Sequence, residues 1–230
     1  MKIRESVKSL TKFERCLWFV SVIIVSGAFF VFKSTDYFTL CASLVGVTAL
    51  IFLAKGHAIG QVLIIIFSLF YGYISFRFRY YGEIITYICM TLPMAVVALV
   101  AWIKHPYKDS SEVEVSKLNK KQISIMCLSA LVVTTAFYFI LKALDNANLF
   151  FSTVSITTSF VAAYLTALRS PYFALGYAAN DLVLIVLWIL AAKEDISSVS
   201  MIFCFMTFFV NDLYGFINWK KMERRQKNAP

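Results

Sequence analysis

Eight long apolar blocks leave this chain little room to be anything but a bundle of membrane-crossing helices. A helix crosses the hydrocarbon core with roughly 20 mostly apolar residues. Runs of that kind are predicted over 16–32, 37–54, 58–76, 83–103, 122–141, 149–168, 172–192 and 198–219. No soluble domain fits in what remains. Composition agrees, with 60% hydrophobic and 15% charged residues and a mean hydropathy of +0.75. So little polar surface cannot cover so much apolar surface in water, and lipid must cover the rest. The first block has a basic flank, but Phe29, Phe30 and Phe32 stand where a cleavage site needs small residues, so it reads as a span and not a cleavable signal.

The net charge of +9 invites a nucleic-acid reading, which the placement of the charges removes. With the N-terminus inside and eight spans, 17 of the 22 Lys and Arg fall in inner segments and 5 (Lys33, Arg77, Arg79, Lys142, Lys193) in outer ones. That is the positive-inside asymmetry, and the inner basic residues meet anionic lipid heads. Both termini are therefore expected on the cytoplasmic side. Cys16, Cys41, Cys89, Cys127 and Cys204 lie in the apolar blocks without metal-ligand spacing and read as packing residues.

One connection is long. The stretch 105–121 is polar, holds Pro106, Glu112 and Glu114, and divides the chain. The halves look weakly repeated at an offset of about 117 residues: Trp102 and Lys104 close block four as Trp219 and Lys220 close block eight. Blocks two to four and six to eight form two three-helix units. Three is odd, so block five between them restores the orientation and makes the units parallel. The expected organisation is a basic N-terminus and extra span (1–36), a first bundle (37–104), a loop and linker helix (105–148), a second bundle (149–219) and a basic, frayed tail (220–230).

Polar side chains at membrane depth are expensive and each calls for a reading. In block eight Thr207, Asn211, Tyr214 and Asn218 fall within about 60° of one another on a helix. They form a stripe suited to hydrogen-bonding a polyol or a base edge. Block seven carries Tyr177, Asn180, Asp181 and Trp188, an arrangement that suits a flat ring. Block three carries Gln61, Ser68, Gly72 and Ser75 on one face, flanked by Tyr71 and Tyr73. The competing reading, that such groups only bond neighbouring helices, weighs about equally. Ser155, Ser159, Ala162 and Thr166 read as a packing stripe. Trp18, Tyr37, Tyr80, Tyr81, Trp102 and Trp219 read as interfacial anchors. Asp212 lies about 100° off the block-eight stripe and is given a helix–helix role, and Asp181 a mixed one, as a proton site or a satisfied buried acid. Pro93 is expected to kink its helix or serve as a hinge. His57 and His105, at helix edges, read as solvated. No HExxH, G-x-S-x-G or P-loop pattern is present, so neither an enzyme nor a cofactor is expected.

The stretches Gly60-Gln61-Val-Leu-Ile, Leu69-Phe-Tyr71-Gly72-Tyr73 and Tyr81-Gly82-Glu83 resemble the first half of the PnuC-type nicotinamide riboside transporters. Tyr177-Ala-Ala-Asn180-Asp181, Leu187-Trp188 and Asn211-Asp212-Leu213-Tyr214-Gly215 resemble the matching half. The resemblance runs from about block two to the end. It implies two three-helix bundles joined by a linker helix, like fused half-sized sugar-transporter bundles of the SWEET type. It also implies facilitated diffusion of a vitamin nucleoside across a bacterial inner membrane, trapped by a cytosolic kinase. Gln61, Asn180, Trp188, Asn211 and Tyr214 match the type of side chain the family uses at its site. A homo-oligomer such as a trimer is compatible with the resemblance. One departure stands out: members carry tryptophans spaced three apart in the helix matching block seven, where this chain has none before Trp188. That keeps thiamine, riboflavin and other nucleosides open as cargo, as it does proton coupling through Asp181. A non-transporting membrane subunit or an intramembrane enzyme is the remaining alternative.

Overall fold

The computed structural model describes residues 3–77, 84–108, 110–146 and 148–228. The helices are α1 (Ile3–Lys8), α2 (Lys12–Val31), α3 (Tyr37–Ala54) and α4 (Ile59–Arg77). A π-helical stretch (Ile85–Thr91) then runs into α5 (Leu92–Lys104). After it come α6 (Lys120–Ala143), α7 (Leu149–Ala167), α8 (Phe173–Ala192) and, through a 3-10 turn (Ile196–Ser198), α9 (Val199–Asn228). Among the described residues there is no strand, only isolated bridges at His57–Glu112 and Pro106–Val113. Among the described residues seven segments, counting the π stretch with α5, are long and apolar enough to cross a membrane. The remaining expected block is α4, whose apolar part is the shorter Ile59–Tyr73. Arg79, Tyr80, Tyr81, Gly82 and Glu83 lie outside the described residues, as do the side chains of Ser75 and Arg77.

Local chemistry sets several boundaries. The first span begins at Lys12, four residues ahead of the apolar run, because Thr11 and Glu14 close a capping box. The Thr11 hydroxyl accepts from the Glu14 N–H at 3.2 Å, and the Thr11 N–H donates to the Glu14 carboxylate at 2.7 Å. Asn119 and Gln122 start α6 in the same reciprocal way. Ahead of Pro93 the backbone widens into the π-helix. There the Leu92 N–H donates to the Tyr87 carbonyl five residues back, and the Thr91 hydroxyl donates to the Thr86 carbonyl at 3.1 Å. A wider turn accommodates the missing proline N–H.

Within the bundle α3 packs on α4, α4 on α5, α7 on α8 and α8 on α9. Across it, α9 lies against α3 and α5 against α7. The first span α2 lies on α3 and α9, and α6 lies on α7. Most of α6 faces outward, with Leu128, Leu131, Val132 and Phe139 exposed, as a lipid-facing helix should be.

The expected frayed tail is instead helical. At 30 residues α9 is about 45 Å long at 1.5 Å per residue, longer than the roughly 30 Å core of a bilayer, so its last turns stand beyond it. They are held by the strap 105–119. Gln226 donates to the Val113 carbonyl at 3.0 Å and accepts from the Val115 N–H at 2.8 Å, and Arg225 pairs with Glu112. The strap reaches the α3–α4 turn through Val113 N–H to Gly56 O at 2.9 Å, and the α7–α8 turn through Ser116 N–H to Arg169 O at 3.0 Å. His57 in that turn is 1% exposed, a correction to its solvated reading: the strap covers it, with Ser111 Oγ 3.5 Å from Nε2.

Two expected anchors are also buried. Trp102 and Trp219 are 2% and 0% exposed, because their indole N–H groups are drawn inward to the carbonyls of Thr166 (2.9 Å) and Leu53 (2.8 Å). Trp18 likewise turns in and donates to Thr48 Oγ1 at 3.1 Å.

Candidate functional site

A cavity of about 170 Å³ lies among the inner faces of α3, α4, the π stretch, α7, α8 and α9. Rings form much of its wall. Tyr71 and Tyr87 pack with centroids 4.8 Å apart and Phe67 lies 4.7 Å from Tyr71, while Tyr177 and Trp188 line it from α8. Gly46 lies in the wall because any Cβ there would come within 2.6 Å of Phe208.

The polar part centres on Asn180. Its Oδ1 accepts from the hydroxyls of Ser155 and Thr158, both at 2.9 Å. Two donors on one oxygen fix the orientation of the amide and leave Nδ2 as the donor, in a side chain that lines the cavity. Asp181, one residue on, and Asp212 of α9 line it too. Their carboxyl groups are within hydrogen-bonding reach of each other.

Of the side chains singled out in the sequence, Tyr71, Tyr177, Asn180, Asp181 and Trp188 meet at this cavity. The stripe on α9 faces elsewhere. Asn211 donates to Ser21 Oγ at 3.0 Å and to the Thr207 carbonyl at 2.8 Å. Tyr214 donates to Glu14 at 2.7 Å, and Asn218 donates to the Ala54 carbonyl at 2.8 Å. The Thr207 hydroxyl donates to its own helix at Phe203 O. The partner of this stripe is mainly the N-terminal span α2. Gln61 is buried away from the cavity, with no described partner for Nε2.

Two readings change. Asp212, assigned to helix packing, faces the cavity. In the small-residue stripe of α7, Ala162 packs against Gly176, but Ser155 and Ser159 reach the cavity. Tyr87, Phe67 and Phe208 were not singled out at all, since an aromatic in an apolar run carries no mark of which way it points. Among the described residues no group of three His, Cys, Asp or Glu is placed to hold a metal.

A multi-pass helical membrane protein with a ring-lined cavity enclosed between its helices is a membrane transporter in architecture. The chain belongs to the nicotinamide mononucleotide transporter family, whose model matches residues 36–221. It is similar to the nicotinamide riboside transporter PnuC of Neisseria mucosa, 27% identical over 228 residues that cover 96% of this chain and 86% of that protein. Its fold matches the crystal structure of the vitamin B3 transporter PnuC, with a TM-score of 0.82 over 97% of both chains at 23% identity. The PnuC-type resemblance in the sequence is thereby borne out.

Proposed function

We propose that this chain carries nicotinamide riboside across a bacterial inner membrane by facilitated diffusion, with the ring held in the cavity beside Asn180. The observation that carries the reading is the cavity itself: among the described residues its lining has seven aromatic side chains, an oriented amide and no Lys, Arg or His. The family model is described for the mononucleotide, but a phosphate monoester carries roughly −1.5 to −2 charges at neutral pH. A lining with two carboxyls and, among the described residues, no cation disfavours it, whereas the riboside lacks the phosphate.

The mechanism follows from the packing. Helices α3–α5 and α7–α9 act as two parallel three-helix units, with α6 as linker and α2 as the extra span. With α4 counted, eight spans leave both termini on one side, and the basic inner segments support the cytoplasm as that side. In each unit the first helix packs on the second and the second on the third. Between units the third helix of each lies on the first of the other, a pattern that suits rocking about a central site. A cavity of about 150 Å³ holds a benzene-sized ring, so the present volume accepts the heterocycle, and the ribose requires the units to part. Phosphorylation by a cytosolic kinase makes uptake one-way, and a homo-oligomer such as a trimer is compatible with the outward α6.

The test is uptake of labelled nicotinamide riboside into liposomes holding the purified protein. Saturable uptake that Asn180→Ala weakens supports the reading. Absence of uptake by the wild-type protein, or uptake indifferent to Asn180→Ala, removes it. Proton coupling through Asp181 predicts faster uptake under an inward pH gradient, and facilitated diffusion predicts none.

A further inference from the structure

Asp181 and Asp212 are 4% and 5% exposed, face the same cavity and are within hydrogen-bonding reach of each other. Oδ2 of Asp181 accepts from no described group. Two carboxyls held this close repel as a dianion, and with one proton shared between them they carry a single negative charge. A buried charge is tolerated only when it is compensated, and among the described residues the lining supplies no Lys, Arg or His.

The rest of the wall points the same way. Tyr71, Tyr87, Tyr177 and Trp188 are π systems whose faces attract positive charge. A bare metal ion is poorly served, because hard cations seek about six or more oxygens, and the Asn180 carbonyl oxygen is already taken by two hydroxyls. A flat organic cation answers both the rings and the carboxyl pair.

We propose that Asp181 and Asp212 together are the counter-charge for a flat heteroaromatic monocation, and that they make the cavity select a quaternary pyridinium nucleoside over neutral analogues of the same shape. The inference rests on the transport reading above and adds the charge of the ring to it. In nicotinamide riboside the ring nitrogen bonded to ribose carries a fixed positive charge. In the 1,4-dihydro form the ribose and the carboxamide are kept and the charge is gone.

The test measures uptake of the two forms by the full chain in liposomes. The wild-type protein is expected to carry the cation at least about ten-fold faster. The double variant, Asp181→Asn with Asp212→Asn, is expected to bring the ratio close to one while still carrying the neutral form, which also reports a folded protein. Either single change keeps a preference for the cation, because an amide in place of the protonated carboxyl leaves the pair its one negative charge. Equal wild-type rates for the two forms, or a ratio unchanged in the double variant, overturn the proposal. Should the double variant lose all uptake, equilibrium binding to the wild-type protein decides: tighter binding of the cation upholds the pair's role and equal binding overturns it. A wild-type protein that carries neither form fails the transport reading itself, a result distinct from carrying both at one rate.

Discussion

Trp102 and Trp219 pack with ring centroids 5.3 Å apart, and the indole of each donates to a backbone carbonyl of another helix. The Trp102 indole N–H donates to Thr166 O near the end of α7, and the Trp219 indole N–H donates to Leu53 O near the end of α3. The relation is reciprocal down to the carbonyls, which also accept from Arg169 N–H and Gly56 N–H respectively. Phe173 closes the group, 4.9 Å from Trp219. The two Trp-Lys endings noted in the sequence thus meet in one contact.

Replacing either indole with phenyl tests that tie. Trp102→Phe and Trp219→Phe each remove one hydrogen bond and some core volume, a loss of about 1–3 kcal/mol apiece. Thermal unfolding of purified protein in detergent should show two similar drops. The double variant should lose less than the sum, because the rings touch each other. Additive losses speak against a shared contact.

A second comparison separates cavity from scaffold. Tyr214→Phe deletes the bond to Glu14 and should lower stability by about 1.5–3 kcal/mol, the usual worth of a bond to a charged group. Its KM for nicotinamide riboside should stay within about two-fold, since Tyr214 does not line the cavity. Asn180→Ala should do the opposite, raising KM about ten-fold or more with a smaller stability change. Saturation kinetics in liposomes beside melting curves tell the patterns apart. A KM that rises in Tyr214→Phe and not in Asn180→Ala moves the site to α9.

These contrasts show what a one-dimensional pattern records. Run length and composition report the solvent a segment lives in, so each apolar block has a helix at its place, although the last runs on to Asn228, and Thr11-x-x-Glu14 marks the start of α2 once caps are considered. Helical period reports which residues share a face. It does not report what the face meets. Thr207, Asn211, Tyr214 and Asn218 do share one, as their spacing implies, but an extra N-terminal helix offering Ser21 and Glu14 occupies it. Asp212 lies off that stripe and for this reason looks inward, toward Asp181. Block seven was more legible because Tyr177, Asn180, Asp181 and Trp188 together exceed what packing alone needs. The burial of His57 depends on a strap more than fifty residues away in sequence, and no local signal carries such a contact.

Gly56 offers a test of that strap. It takes φ +68°, and a Cβ would stand 2.6 Å from Met222 Cε of α9. Gly56→Ala therefore combines a left-handed backbone penalty of about 1–2 kcal/mol with a clash against the tail. The expected result is a lower melting temperature, partly restored by adding Met222→Ala, which removes the clash and leaves the backbone strain. If Met222→Ala restores nothing, the tail does not press on this turn.

His57 gives the strap a pH signature. Burial, and then the neighbouring charge of Lys55, push its pKa from 6.5 down to about 4, with Glu14 pulling weakly the other way. Between those values the unfolded chain takes up a proton on this imidazole that the folded chain excludes. Stability from this group is thus complete above pH 6.5 and is lost as pH falls toward 4, by about 3 kcal/mol in all at 1.36 kcal/mol per pKa unit. Melting curves between pH 7.5 and 4.5 should fall for the wild-type protein. His57→Gln, which cannot titrate, should begin lower at pH 7.5 and fall less. Parallel curves for the two proteins mean that His57 takes up its proton as readily in the folded chain as in the unfolded one, and that the strap does not seal it from water.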